Sequence, residues 1–109
     1  MKKIEIIKDS REFSYIINNG KNIKNKFFSI YYMKNTDKNR YGITIPTKTG
    51  KAVIRNKLKR QVKSIVDNNK LCIQTPFNYV IIVRKSALDI NYITMERELI
   101  NLLKKTGEK

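Results

Sequence analysis

Lys48 to Lys63 reads KTGKAVIRNKLKRQVK, and these residues hold seven basic side chains and no acidic one. Gly50 interrupts a strand-like run, and good helix formers follow it. On a helical wheel, Ile54, Val62 and Ile65 fall within about 40° of Leu58 and make one apolar stripe. Arg55, Lys59, Lys63, Asn56 and Arg60 fall on the other side, so the spacing predicts a helix that buries one face and presents a basic one. Thr49 or Gly50 is the expected cap. Positive charge near a helix start opposes the helix dipole. A solvated lysine-rich surface is the plainer account of such a run, but arginines and an asparagine set against an apolar stripe argue for a binding face.

Upstream, Asp9 and Glu12 have capping-box spacing. Phe13, Ile16 and Ile17 follow at helical intervals, and Gly20 is a C-terminal stop, which predicts a helix over Ser10–Asn19. Ile23 marks a very short strand. Lys26 to Met33 alternates as a strand, with Phe28, Ile30 and Tyr32 on one face and Phe27, Ser29, Tyr31 and Met33 on the other. The polar run NTDKN at 35–39 predicts a turn, with Arg40–Thr47 as the hairpin partner. Downstream, Tyr79–Arg84 (YVIIVR) is continuously apolar up to its arginine, the mark of a strand buried on both faces. Lys85–Asp89 reads as a loop. Asn91 caps a last helix whose stripe is Tyr92, Met95, Leu99, Leu102 and Leu103. Strands before and after a central helix predict an α+β two-layer domain in αβββαβα order, spanning 1–109 as one unit, with helices packed on a mixed sheet.

The 109 residues carry 24 basic and 9 acidic side chains, a net charge of +15. That charge is localised. Residues 38–66 hold nine basic residues and no acid, whereas 89–109 hold four of each sign. A concentrated charge points to a polyanionic partner. The apolar fraction of 40% is enough for a packed core. The sequence has no histidine, which removes the commonest general base and any His-based metal site. Carboxylates are few and scattered, and no phosphate-cradling glycine loop is present. Cys72, the single cysteine, is expected to be a buried structural thiol between Leu71 and Ile73. It permits no internal disulfide, in keeping with a reducing cytoplasm. The N-terminal residues develop no signal peptide, and no apolar run is long enough to span a bilayer. A polybasic membrane-surface role is disfavoured because the basic helix lacks a second wide apolar face.

The central stretch resembles the signature of the bacterial ribonuclease P protein family, Lys-x-Val-x-Arg-Asn-x-x-Lys-Arg. Here it stands as Lys51, Val53, Arg55, Asn56, Lys59 and Arg60, six positions within ten residues. The family usually has a further arginine where this chain has Lys63, which keeps the charge but not the bidentate fork. The resemblance implies a four-stranded mixed sheet, a ribosomal-protein-like fold and a left-handed βαβ crossover. It also implies a role: assisting a catalytic RNA, with Mg²⁺ bound mainly by that RNA, in 5′ maturation of precursor tRNA. The protein supplies no catalytic residue and takes no small-molecule substrate. Lys51, Arg55, Asn56, Lys59, Arg60 and Lys63 would contact the RNA subunit. Phe13, Ile17, Phe28, Tyr31 and Lys48 match positions for the single-stranded 5′ leader, where aromatics on a sheet stack bases. Ile17 replaces a frequent phenylalanine and can pack but not stack. The competing reading is a general RNA-binding or ribosomal-type protein, for which phosphate contacts suffice.

Overall fold

The computed structural model describes residues 5–35, 37–73 and 76–106. The first four residues, Thr36 of the polar turn, Gln74, Thr75 and the last three lie outside the described residues. The first helix, α1, spans Ser10–Asn19. The Asp9 carboxylate accepts from the Arg11 amide at 2.8 Å, a half cap. Glu12 does not reach back to complete the box. It pairs with Arg40 at 2.7 Å. Gly20 ends the helix for a reason other than left-handed geometry: its φ is −83°. A Cβ there would lie 2.6 Å from the Ile16 carbonyl oxygen and 2.7 Å from that of Tyr32, so only glycine lets the chain turn this tightly into the sheet.

Four strands follow: β1 Lys21–Lys24, β2 Phe28–Lys34, β3 Arg40–Thr44 and, after the second helix, β4 Phe77–Val83. β2 starts two residues later than the alternation predicts. The Asn25 side-chain oxygen accepts from the amides of Phe27 and Phe28 at 2.9 and 2.8 Å, holding a turn at that point. β3 stops at Thr44 because Pro46 and a short 3₁₀ turn, Thr47–Thr49, take over. The 85–89 loop is likewise a 3₁₀ turn.

The expected β2–β3 hairpin does not form. The sheet order is β1-β2-β4-β3. β4 pairs antiparallel with β2 and parallel with β3. Its apolar run requires cover on both faces and both edges, and an interior place between β2 and β3 supplies that. The polar turn therefore bridges across the end of β4 instead of closing a hairpin. The Asn35 amide donates to the Pro76 carbonyl at 3.0 Å, and the Asn39 side-chain oxygen accepts from the Phe77 amide at 2.7 Å. Antiparallel and parallel pairings together make the sheet mixed, as the sequence predicts.

Helix α2 runs Ala52–Asn68 and α3 runs Tyr92–Lys104. Asn91 caps α3 as expected, accepting from the Thr94 amide at 2.8 Å. Both helices cover one face of the sheet. Leu58, Val62, Ile65 and Val66 from α2, with Met95, Leu99 and Leu103 from α3, pack on Phe28, Ile30, Tyr32, Tyr41, Tyr79 and Ile81. Each such side chain gains roughly 1.5–3 kcal/mol on burial. Tyr41 stacks on Tyr79 with 5.6 Å between ring centroids, and the Tyr79 hydroxyl bonds Thr106 Oγ1 at 3.0 Å. Among the described residues, the opposite face is covered by α1 and the segment before it. Ile7, Ile16 and Val80 form that smaller core, with Phe13, Ile17, Tyr31, Met33 and Ile82 half-buried around it.

Cys72 is exposed. The 3₁₀ turn Lys70–Cys72 points Leu71 and Cys72 outward, and the next residue, Ile73, is the one that enters the core. Among the described residues no helix is long and apolar enough to cross a membrane.

Candidate RNA-binding surfaces

The first surface is the outer side of α2. Neither Thr49 nor Gly50 caps this helix; Lys51 holds the cap position and makes no side-chain cap bond. Arg55 is half-buried, and its Nε donates to the Gly50 carbonyl at 3.1 Å. That bond fixes the base of its guanidinium and turns the remaining donors outward. Asn56, Lys59 and Arg60 are exposed and Lys63 is half-buried. The predicted stripe is buried only from Leu58 onward. Ile54, one turn earlier, remains 38% exposed. All six residues expected to meet an RNA subunit thus belong to one helix and its cap, and no ion pair within 4 Å is recorded for any of them among the described residues. Unpaired cations on a rigid helix suit a phosphate backbone.

The second surface is the open part of the sheet's other face. Strand register sets its floor. Tyr31 lies beside Val80, and Val80 beside Gly42; Ser29 lies beside Ile82, and Ile82 beside Thr44. Phe13 of α1 sits over Gly42 so closely that a Cβ there would meet the ring at 2.5 Å. Glycine at this position is what lets α1 lie against the strands. Phe13, Ile17 and Tyr31 are therefore gathered as expected, around one small core.

Phe28 is not with them. It is fully buried and packs in the main core under α2 and α3. The alternation of β2 puts it on the same side as Ile30 and Tyr32, opposite Tyr31. A side chain with no exposed surface there offers nothing for a base to stack on.

Lys48 lies at one end of the sheet, in a depression of about 500 Å³ lined also by Lys26, Arg84 and Lys85. Sequence reasoning singled out Lys48 alone. β2 begins where β4 ends, since Phe28 pairs with Val83. The residues flanking that pair meet: the Arg84 amide donates to the Phe27 carbonyl at 2.9 Å, its guanidinium to the Asn25 carbonyl at 3.2 Å, and the Ser86 hydroxyl to the Lys26 carbonyl. The adjacent pair Arg84-Lys85 after an apolar strand was the available signal, but the β2–β4 pairing is needed to read it.

The two surfaces border each other at the β3 edge. A groove of about 510 Å³ is lined by Phe13 on one side and by Lys59 and Lys63 of α2 on the other, with Ile7 and Tyr41 between them. The Ile7 amide donates to the Tyr41 carbonyl at 2.9 Å, so the leading segment lies along that edge.

The family model for ribonuclease P matches residues 1–107. The chain belongs to the ribonuclease P protein family. The ribonuclease P protein component of Streptococcus agalactiae is 37% identical over 108 residues, covering 98% of each chain. That of Mycoplasma capricolum is 45% identical over 106 residues, covering 95% of this chain and 97% of its own. Among solved structures, the RNase P protein from Thermotoga maritima matches with a TM-score of 0.87 and 36% identity, over 94% of this chain and 98% of that one. A Staphylococcus aureus RNase P protein matches with a TM-score of 0.86 and 30% identity, over 94% and 95%. Ribonuclease P is an endoribonuclease of tRNA processing and a ribonucleoprotein, so membership makes this chain its protein component and an RNA subunit its partner.

Proposed function

We propose that the protein assists the catalytic RNA of ribonuclease P in 5′ maturation of precursor tRNA by holding two nucleic-acid segments at once. The α2 face, Lys51 to Lys63, binds phosphates of the RNA subunit. The open sheet face, with Phe13, Ile17 and Tyr31 beside α1, holds the single-stranded 5′ leader. Lys48, joined by Lys26, Arg84 and Lys85, neutralises leader phosphates at the sheet end. The observation that carries this reading is the pairing of an uncompensated cationic helix with a separate, half-covered aromatic sheet face, the two meeting at one edge.

Cleavage itself falls to the RNA subunit and its Mg²⁺. Among the described residues no three of the His, Cys, Asp and Glu side chains come together as metal ligands. The chain's own part is electrostatic and positional.

The test separates the surfaces. Arg60→Ala weakens binding to the RNA subunit whatever substrate is present, and flattens the dependence of log K on log salt by about one unit. Tyr31→Ala leaves that affinity and slope near wild type. It weakens binding of precursor tRNA by roughly 1–3 kcal/mol, only when the leader is several nucleotides long. A leader-independent defect in a folded Tyr31→Ala protein would overturn the division and favour general RNA binding.

A further inference from the structure

Val53 is 78% exposed, yet it lies inside the cationic face of α2. On the helical wheel it falls about 20° from Arg60 and about 40° from Lys57. Core packing does not account for an apolar side chain there. Beside it, Ile54 is 38% exposed, and across a depression of about 430 Å³ Leu88 is 40% exposed. The depression is floored by Ala87 and Met95, each 1% exposed, and Lys57 stands on its rim. Single exposed apolar residues are ordinary. Three of them walling one depression, with Lys57 on its rim and Arg60 further along the same side of α2, are a preformed site with an apolar floor and a cationic lip.

We infer that this depression takes the face of an unstacked base of the RNA subunit, with Lys57 and Arg60 on the flanking phosphates. The inference rests on the proposal that α2 binds that RNA. Charge decides the class of occupant, since a +15 chain disfavours a second copy of itself. Continuity with the α2 cations favours the same polyanion over a separate acidic protein. Such a contact adds affinity through apolar burial, and that part of the binding is independent of salt, unlike the phosphate contacts around it.

The experiment titrates a transcribed ribonuclease P RNA subunit, without precursor tRNA, into wild type, Val53→Ser, Leu88→Ser, Val53→Ile and Arg60→Ala across a potassium chloride series. Val53→Ser and Leu88→Ser are expected to weaken binding by about fivefold at every salt concentration, with the salt slope unchanged. Val53→Ile is expected to retain wild-type affinity. Wild-type affinity in Val53→Ser overturns the inference, as does a loss that comes with a changed slope. If Leu88→Ser does not fold, Val53→Ser decides alone, because its side chain is exposed and circular dichroism should stay native. Arg60→Ala reports separately on the phosphate reading. If it binds as wild type while Val53→Ser is weakened, the Arg60 phosphate contact is overturned and the base contact in the groove stands without it.

Discussion

Phe28 and Tyr31 are three residues apart on β2 and face opposite ways, and the two sides of the sheet they look into are built differently. On the Phe28 side two helices close over the strands, and the sheet's aromatic and aliphatic side chains are buried beneath them. On the Tyr31 side one ten-residue helix covers part of the same strands and leaves half-buried residues at its margin. The closed side supplies the fold's free energy, and the open side uses the rigidity so obtained to hold residues at fixed spacing for a partner. Aromatic residues in alternation on a strand do not reveal which side is which. That depends on where the helices land.

The sharpest way to break this comparison is to truncate both neighbours. Phe28→Ala is expected to lower stability by about 3–5 kcal/mol through loss of buried surface and cavity formation. Tyr31→Ala is expected to cost less, since its side chain is only partly buried, at the margin of the smaller core. Urea denaturation of both variants measures the difference, and equal losses would mean that the open face is core after all.

Alkaline pH tests the closed side together with the Lys70–Glu5 pair that ties the leading segment to the end of α2. Burial holds the hydroxyls of Tyr79 and Tyr41 above their ordinary value of 10.0. The hydrogen bond that the Lys70 ammonium donates to Glu5, 3.0 Å away, raises Lys70 above 10.5. In all three cases the unfolded chain releases its proton first as pH rises. Their contribution is therefore complete below about pH 10 and is lost as pH climbs past it. Thermal midpoints are expected to be flat from neutral pH up to about 10 and to fall beyond. Tyr79→Phe should make the fall shallower.

Gly42 sharpens the boundary between the faces. Gly42→Ala sets a methyl against the Phe13 ring, and is expected to cost roughly 1–3 kcal/mol and loosen α1. In a Phe13→Ala background the same change should be close to neutral, because the obstructing ring is gone. A double-mutant cycle by urea denaturation measures that coupling, and strict additivity would show that α1 does not rest on Gly42.

The smallest effect is at the solvent edge of α1. The Glu12 and Arg40 side chains are 40% and 28% exposed, so Glu12→Gln is expected to cost about 1 kcal/mol or less, and less again at high salt. A larger, salt-insensitive loss would make that pair part of the smaller core.

Local patterns in the sequence carried much of the architecture. The α1 and α3 spans, the central apolar strand and the basic side of α2 all follow from spacing alone, because periodicity and caps are local properties. What was illegible depended on distant partners. The β2–β3 hairpin was the natural inference from NTDKN, but β4, more than thirty residues away, takes the place between those strands. Alternation set Phe28 and Tyr31 on opposite faces, but only α2 and α3 show which of those faces is closed. Cys72 was expected inside because both its neighbours are apolar, yet a single tight turn sends Leu71 outward with it. The Lys26–Arg84 juxtaposition needs the β2–β4 register, which no stretch of either strand specifies.

The place of β4 also constrains how the chain is made. A ribosome delivers β2 and β3 well before residues 77–83 emerge. Until then β3 has only the single bridge from the leading segment at Tyr41, and β2 has only β1, four residues long. The nascent chain must carry α2 and its cations through that interval with the apolar stripe unburied. Completion of the sheet is a late, non-local event. A chain released before Val83 would have every residue of the signature and no surface on which to seat it.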